Sequence, residues 1–181
     1  KELFNGFAEI LKMGLIHDAP ICTATSCGDE LILRVIKAKI AIVEQDPAEQ
    51  GLRRILNFGH TVGHALETTS DYQIAHGEAV AIGSLAEAHL SMQLGYLSEK
   101  DFEKIQKLYH SFSLQLPKAY DRDRLLQAMV YDKKRAKGAT RFVLIDRIGH
   151  ALPFAGVFCH PVALNELEPS LKWIEKRYES V

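Results

Sequence analysis

A single, mainly α-helical domain is the fold class this sequence predicts. Three observations carry that expectation. Apolar residues recur at helical spacing through most of the chain, and residues 77–94 form a long segment that is apolar on nearly every side. Only one short run, Arg141 to Ile145, has the composition of a strand.

The elements follow in order. Residues 1–17 read as a helix, with Leu3, Phe4, Phe7, Ile10, Leu11 and Leu15 at helical spacing and Glu9 and Lys12 three apart on one face. Asp18-Ala19-Pro20 stops it, and 21–28 is a small polar loop. Asp29 to Val43 is a second amphipathic helix with Leu31, Ile32, Val35, Ile36, Ile40 and Val43 inward and with Lys37 and Lys39 as its amines. Asp46-Pro47-Ala48-Glu49-Gln50-Gly51 turns the chain into a helix that ends before Asp71. Residues 77–94 make the central buried helix, with His76 at its mouth. Ser98 to Phe112 is a surface helix with Ser98 as N-cap and Asp101 in an acidic first turn. Residues 121–135 form another, ending in a basic cluster that complements a helix C-terminus or clamps an anion. Lys137-Gly138 leads into the strand at 141–145, with 150–154 as its hairpin partner. His160 to Tyr178 is the last helix, with Leu164, Leu167, Leu171 and Ile174 inward and Trp173 as packing surface.

Within this frame one stretch stands out. Read as one helix, 53–67 sets Arg53, Asn57, His60 and His64 at steps of four, three and four. At about 100° per residue they stay within roughly 60° of one another. Solvated faces are built from Glu, Lys and Gln at pairing distances, not from two imidazoles, an amide and a guanidinium. Gly59 and Gly63, one turn apart, each weaken a helix by about 1 kcal/mol relative to Ala, which points to close approach of another backbone or of a ligand.

Composition narrows the classes. With 47% hydrophobic and 25% charged residues the chain is an ordinary globular one. A net charge of −1 leaves no electrostatic footprint for nucleic acid or an anionic membrane, and no apolar run is long enough to span a bilayer. Cys22, Cys27 and Cys159 are too few and too odd in number for a disulfide framework, which places the chain in a reducing cytoplasm. It opens on Lys1 with no apolar leader and reads as a piece of a longer protein.

Glu9, His60, His64 and His76 are metal-ligand types, and three such ligands with an open fourth position describe a catalytic zinc. His60-Thr61 departs from the His-Glu-x-x-His of zinc proteases. Lys12, Lys39, Arg53, Asn57 and the Lys133/Lys134 pair surround those ligands and suit an anionic substrate. Spacing alone leads to metal-assisted chemistry on a small anion.

The motifs go further. Arg53-x-x-x-Asn57-Phe-Gly-His60-Thr-x-Gly-His64-Ala-x-Glu67, His76-Gly-Glu-Ala-Val-Ala-Ile-Gly, Gly6-Phe-Ala-Glu9-Ile-Leu-Lys12 and Asp132-Lys133-Lys134 resemble, in register, the C-terminal domain of the 3-dehydroquinate synthases, which are sugar phosphate cyclases. The resemblance implies a multi-helical metal- and substrate-binding domain over 1–181 with a small β-hairpin near 140–155, and an NAD-binding N-terminal domain outside this chain. It implies zinc, or another divalent cation such as cobalt, on Glu9, His60 and His76. Lys39 and Arg53 would hold a substrate carboxylate. Asn57, His64 and Lys133 or Lys134 would hold a phosphate, and Lys12 would sit at the metal and the substrate hydroxyls, making Lys12 and His64 the catalytic pair.

The implied reaction converts 3-deoxy-arabino-heptulosonate 7-phosphate to 3-dehydroquinate and phosphate in the shikimate pathway, with NAD, in a cytoplasmic homodimer. The isolated domain would be inactive. A cyclase forming 2-deoxy-scyllo-inosose or a valiolone, a metal-dependent alcohol dehydrogenase of the glycerol dehydrogenase type, and a helical binding module without turnover are the alternatives.

Overall fold

The computed structural model describes residues 2–24, 28–135 and 140–178; the side chains of 2–4 and 131–135, like Cys27, lie outside the described set. The chain runs α1 (Glu2–Ile16), a 3-10 turn (Ala19–Thr23), α2 (Asp29–Gln45), a second 3-10 segment (Leu52–Asn57), α3 (His60–Thr69), α4 (His76–Gln93), α5 (Glu99–Leu108) and α6 (Arg122–Arg135). Four short strands follow, β1 (Arg141–Phe142), β2 (Ile145–Arg147), β3 (His150–Ala151) and β4 (His160–Pro161), and then α7 (Leu164–Tyr178). The mainly α expectation holds, and no described helix is long and apolar enough to cross a membrane.

Helix α4 is the axis of the domain. Every residue from Ala79 to Ser91 is buried, and α1, α3, α5 and α7 pack against it. A helix apolar on every side has no solvent face to offer and is surrounded instead. The α3–α4 contact is backbone on backbone. A Cβ at Gly83 would fall inside the Gly59 carbonyl, and one at Gly63 would lie 3.1 Å from the Ala79 carbonyl oxygen. Close backbone approach is what the two glycines of the His-rich stretch predicted.

Five elements differ from the sequence reading. Residues 53–67 are not one helix. The 3-10 segment ends at Asn57, and Gly59 at φ +77° restarts the chain as α3. A left-handed residue cannot lie inside an α-helix, and a side chain at Gly59 would strike Ser84 on α4. Helix α2 turns out to bury Ile42, whereas Ile32, Ile36 and Ile40 are 40–49% exposed. Its apolar stripe borders a cleft rather than the core, with Ile32, Val35 and Ile36 forming one wall.

The predicted strand at 141–145 splits in two. Phe142, Val143, Leu144 and Ile145 are all buried, which a period-2 strand with one covered face cannot achieve. The chain pairs β1 with β4 (Arg141 opposite Pro161), then turns to pair β2 with β3 (Ile145 opposite Ala151). His160 accordingly belongs to β4, and the last helix begins at Leu164. The polar loop at 21–28 is helical in its first part, where the 3-10 turn that opens at Ala19 and Pro20 runs on to Thr23. Ser98 caps α5 by accepting from the Asp101 amide, as its sequence indicates.

Candidate metal and anion site

Helix α1 carries Glu9 and Lys12 one turn apart, and the restart at Gly59 puts His60 at the head of α3. His76 is the first residue of α4. The α3–α4 backbone contact fixes these two helix heads side by side, with α1 across them. Glu9 Oε1 then lies 3.5 Å from His60 Nε2 and 3.7 Å from His76 Nε2. Two atoms each about 2.1 Å from one ion at a tetrahedral angle stand about 3.4 Å apart. Glu9, His60 and His76 are the one group of His, Cys, Asp and Glu among the described residues whose ligand atoms all fall within 4.8 Å of one another.

Hydrogen bonding fixes what these atoms offer. His60 Nδ1 faces the Phe58 carbonyl at 3.2 Å, and His76 Nδ1 faces Glu67 Oε1 at 2.9 Å. Both partners are acceptors, so each Nδ1 carries the proton and each Nε2 presents a lone pair when neutral. Burial, and then the nearby Lys12 ammonium, push the His60 imidazole down to about 4, so it is neutral at neutral pH. Glu9 Oε1 is buried without a hydrogen-bond partner. Three acceptors thus converge on one point, an arrangement that a cation satisfies and that no donor among the described residues does.

Lys12 holds the other carboxylate oxygen. Its Nζ donates to Glu9 Oε2 at 2.7 Å and to the Leu56 carbonyl at 2.8 Å, with 3% of the residue exposed. Burial lowers its pKa, and Glu9 opposes that shift. Burial would raise the Glu9 carboxyl, but Lys12 and the two imidazoles outweigh it and hold it below the usual range.

A cleft of about 500 Å³ opens beside this group. Its lining includes Glu9, Lys12, Lys39, Arg53, Asn57 and His60, so three cations on three different elements face one space. The 3-10 segment delivers Arg53 and Asn57 even though it is not continuous with α3. Asp46 anchors it, accepting from the amides of Gln50, Gly51 and Arg53. Arg53 donates to the Pro47 carbonyl and Asn57 to Glu49 Oε1.

His64 stands next to the three metal-type residues without joining them. Its exposed ring lies 5.2 Å from that of His60 and 6.3 Å from that of His76. Lys133 and Lys134 are on α6, but their side chains lie outside the described residues.

Sequence reasoning missed Glu67 and Glu49, which orient His76 and Asn57. It also missed Glu87, on α4, which accepts from the Gly59 amide. Glu67 stands inside the motif that drew attention, but nothing in its spacing announced a bond to His76.

Comparison with known proteins places these residues in context. The family described as 3-dehydroquinate synthase C-terminal matches residues 6–135. A 3-dehydroquinate synthase of Dehalococcoides mccartyi is 38% identical over 93% of this chain and 50% of its own length. One of Corynebacterium jeikeium is 40% identical over 82% of this chain and 44% of its own. The chain spans about half the length of the curated relatives it matches. Among solved structures, a 2-epi-5-epi-valiolone synthase from Streptomyces hygroscopicus with NAD+ and Zn2+ bound superposes with a TM-score of 0.80 at 23% identity, covering 97% of this chain and 51% of that one. A 2-deoxy-scyllo-inosose synthase complexed with carbaglucose-6-phosphate, NAD+ and Co2+ gives a TM-score of 0.80 at 20% identity, covering 94% and 52%. At those identities the two structures speak to fold alone.

Proposed function

The chain belongs to the 3-dehydroquinate synthase family, through that family's C-terminal domain, and from this premise we propose that it forms the metal- and substrate-binding half of an enzyme making 3-dehydroquinate from 3-deoxy-arabino-heptulosonate 7-phosphate. The observation that carries the reading is the convergence of Glu9 Oε1 and two imidazole Nε2 atoms beside a cleft lined by Lys12, Lys39 and Arg53. Glu9, His60 and His76 hold a divalent cation, zinc or cobalt. Such an ion acidifies a coordinated substrate hydroxyl and polarises the carbonyl that replaces it.

The remaining residues bind and orient. Lys39 and Arg53 take the substrate carboxylate, Arg53 through a planar fork suited to it. Asn57 and His64, with Lys133 or Lys134, take the phosphate and stabilise its charge as it leaves. Lys12, already at the carboxylate of Glu9, donates to a substrate hydroxyl near the ion. NAD is held by a separate domain, and the working protein is a cytoplasmic homodimer. Fixing both ends of the substrate supplies orientation and electrostatics, which is most of what such a site contributes.

The curated relatives that resemble this chain at 38–40% identity are 3-dehydroquinate synthases, whereas the two other cyclases share 20–23%. A carboxylate-binding pair also suits the heptulosonate. The test is metal content and product assay on the protein at its full natural length. His60→Ala should lose bound zinc and turnover together; zinc retained at full stoichiometry would sink the ligand assignment. A product other than 3-dehydroquinate would move the protein to a sister cyclase.

A further inference from the structure

Helix α3 begins without a side-chain cap of its own, because its N-cap residue is Gly59. The first amides of a helix need acceptors, and here the acceptor comes from a different helix. Glu87, wholly buried on α4, brings Oε2 to 2.9 Å from the Gly59 amide nitrogen. Its other oxygen, Oε1, is buried beside it without a hydrogen-bond partner among the described residues. His60 follows Gly59 as the first residue of the helix.

We infer that Glu87 is a positioning residue for the metal site: by accepting from the Gly59 amide, at the turn from which α3 starts, it sets the height and direction from which His60 points Nε2 at Glu9. The inference rests on the metal reading above. Packing explains why one residue can do this. Gly59, Gly63 and Gly83 bring α3 and α4 into backbone contact, so no side chain stands between the two backbones and the Glu87 carboxyl reaches the Gly59 amide directly. His60 itself is oriented through Nδ1, which faces the Phe58 carbonyl at the same turn. Loss of the buried acceptor leaves the Gly59 amide without that partner, immediately before the residue that must reach the ion.

The experiment uses the full-length protein stripped of metal and titrated with Co2+, followed by visible d–d absorption, and with Zn2+ against a chromogenic chelator. Glu87→Met keeps volume and removes the acceptor; Glu87→Gln keeps an acceptor oxygen. The Met variant should bind Zn2+ about tenfold more weakly or worse, in the range that outer residues of metal sites command, with altered Co2+ bands. The Gln variant should recover to within about threefold of wild type. A general loss of stability would lower the melting temperature without changing the bands of the folded fraction.

Wild-type affinity and wild-type bands in Glu87→Met would overturn the inference. If that variant does not fold, amide exchange in the wild type decides. Slow exchange at Gly59 supports the bond to Glu87, and exchange as fast as at a bare helix end refutes it. A wild-type protein that binds no Co2+ through nitrogen ligands removes the metal reading itself, and this inference with it.

Discussion

Gly83→Ala tests whether the proposed metal site stands on helix backbones in direct contact. A Cβ at position 83 would fall inside the Gly59 carbonyl oxygen and stand 2.9 Å from the Gly63 amide nitrogen and 3.0 Å from the Gly59 carbonyl carbon. None of these atoms can rotate away. Ordinary carbon–oxygen contact is about 3.3 Å or more, so the helices must separate by roughly 1 Å. Overpacking usually destabilises by about 1–3 kcal/mol and more where nothing yields, while the Gly-to-Ala gain in helix propensity returns about 1 kcal/mol. The expected net loss is about 3 kcal/mol, or a fall of about 6–12 °C in melting temperature for a chain of this size. His60 and His76 move apart with their helices, so zinc affinity should fall too. Gly6→Ala is the control. Its Cβ would meet nothing within 4 Å, and it should stabilise α1 by about 0.5–1 kcal/mol. The assays are a thermal melt and a zinc competition. A Gly83→Ala protein that melts with the wild type and binds zinc equally would refute the backbone-contact argument.

Other expectations follow from the same geometry. Glu67→Ala removes the acceptor that orients His76 and should weaken zinc binding by about 10–100-fold in chelator competition, with little change in the fold. Burial pushes the His89 imidazole, packed on Trp173 and bonded to Ser170, down to about 4, and His60 also reaches about 4. The unfolded chain binds these protons near pH 6.5 while the folded one does not. Metal-free stability is therefore full above about 6.5 and falls toward pH 4, by at most about 1.4 kcal/mol per pH unit for each histidine. Denaturant melts at several pH values should show this slope, and His89→Phe should remove its own share. On α2, Ile36→Lys should change stability by no more than about 0.5 kcal/mol because the side chain is exposed, whereas Ile42→Ala should lose about 2–5 kcal/mol by denaturant titration.

What could be read from the sequence was mostly local. The central helix announced itself by having no polar side, and Ser98 and Asp101 marked the start of α5. The ligand-type residues and the cations were visible by chemical type, and the structure gathers Glu9, Lys12, Lys39, Arg53, Asn57 and His60 at one cleft. Periodicity failed at α2, because it reports that an apolar stripe exists and not what the stripe faces. It failed again at Gly59, where a glycine inside a helical pattern was in fact the left-handed break between two helices. Glu67, Glu49 and Glu87 escaped because each acts through a partner eight to twenty-eight residues away, and a carboxylate in a sequence carries no mark of the amide or imidazole it will meet.

The pairing of Lys12 with Glu9 has one more consequence. Because the ammonium already compensates one carboxylate oxygen, Glu9 is anionic at neutral pH whether or not an ion sits at the other, and His60 is neutral there too. Neither residue has a proton to shed when a cation arrives, so exchange of the ion with the surrounding solution is uncoupled from acidity at these two positions.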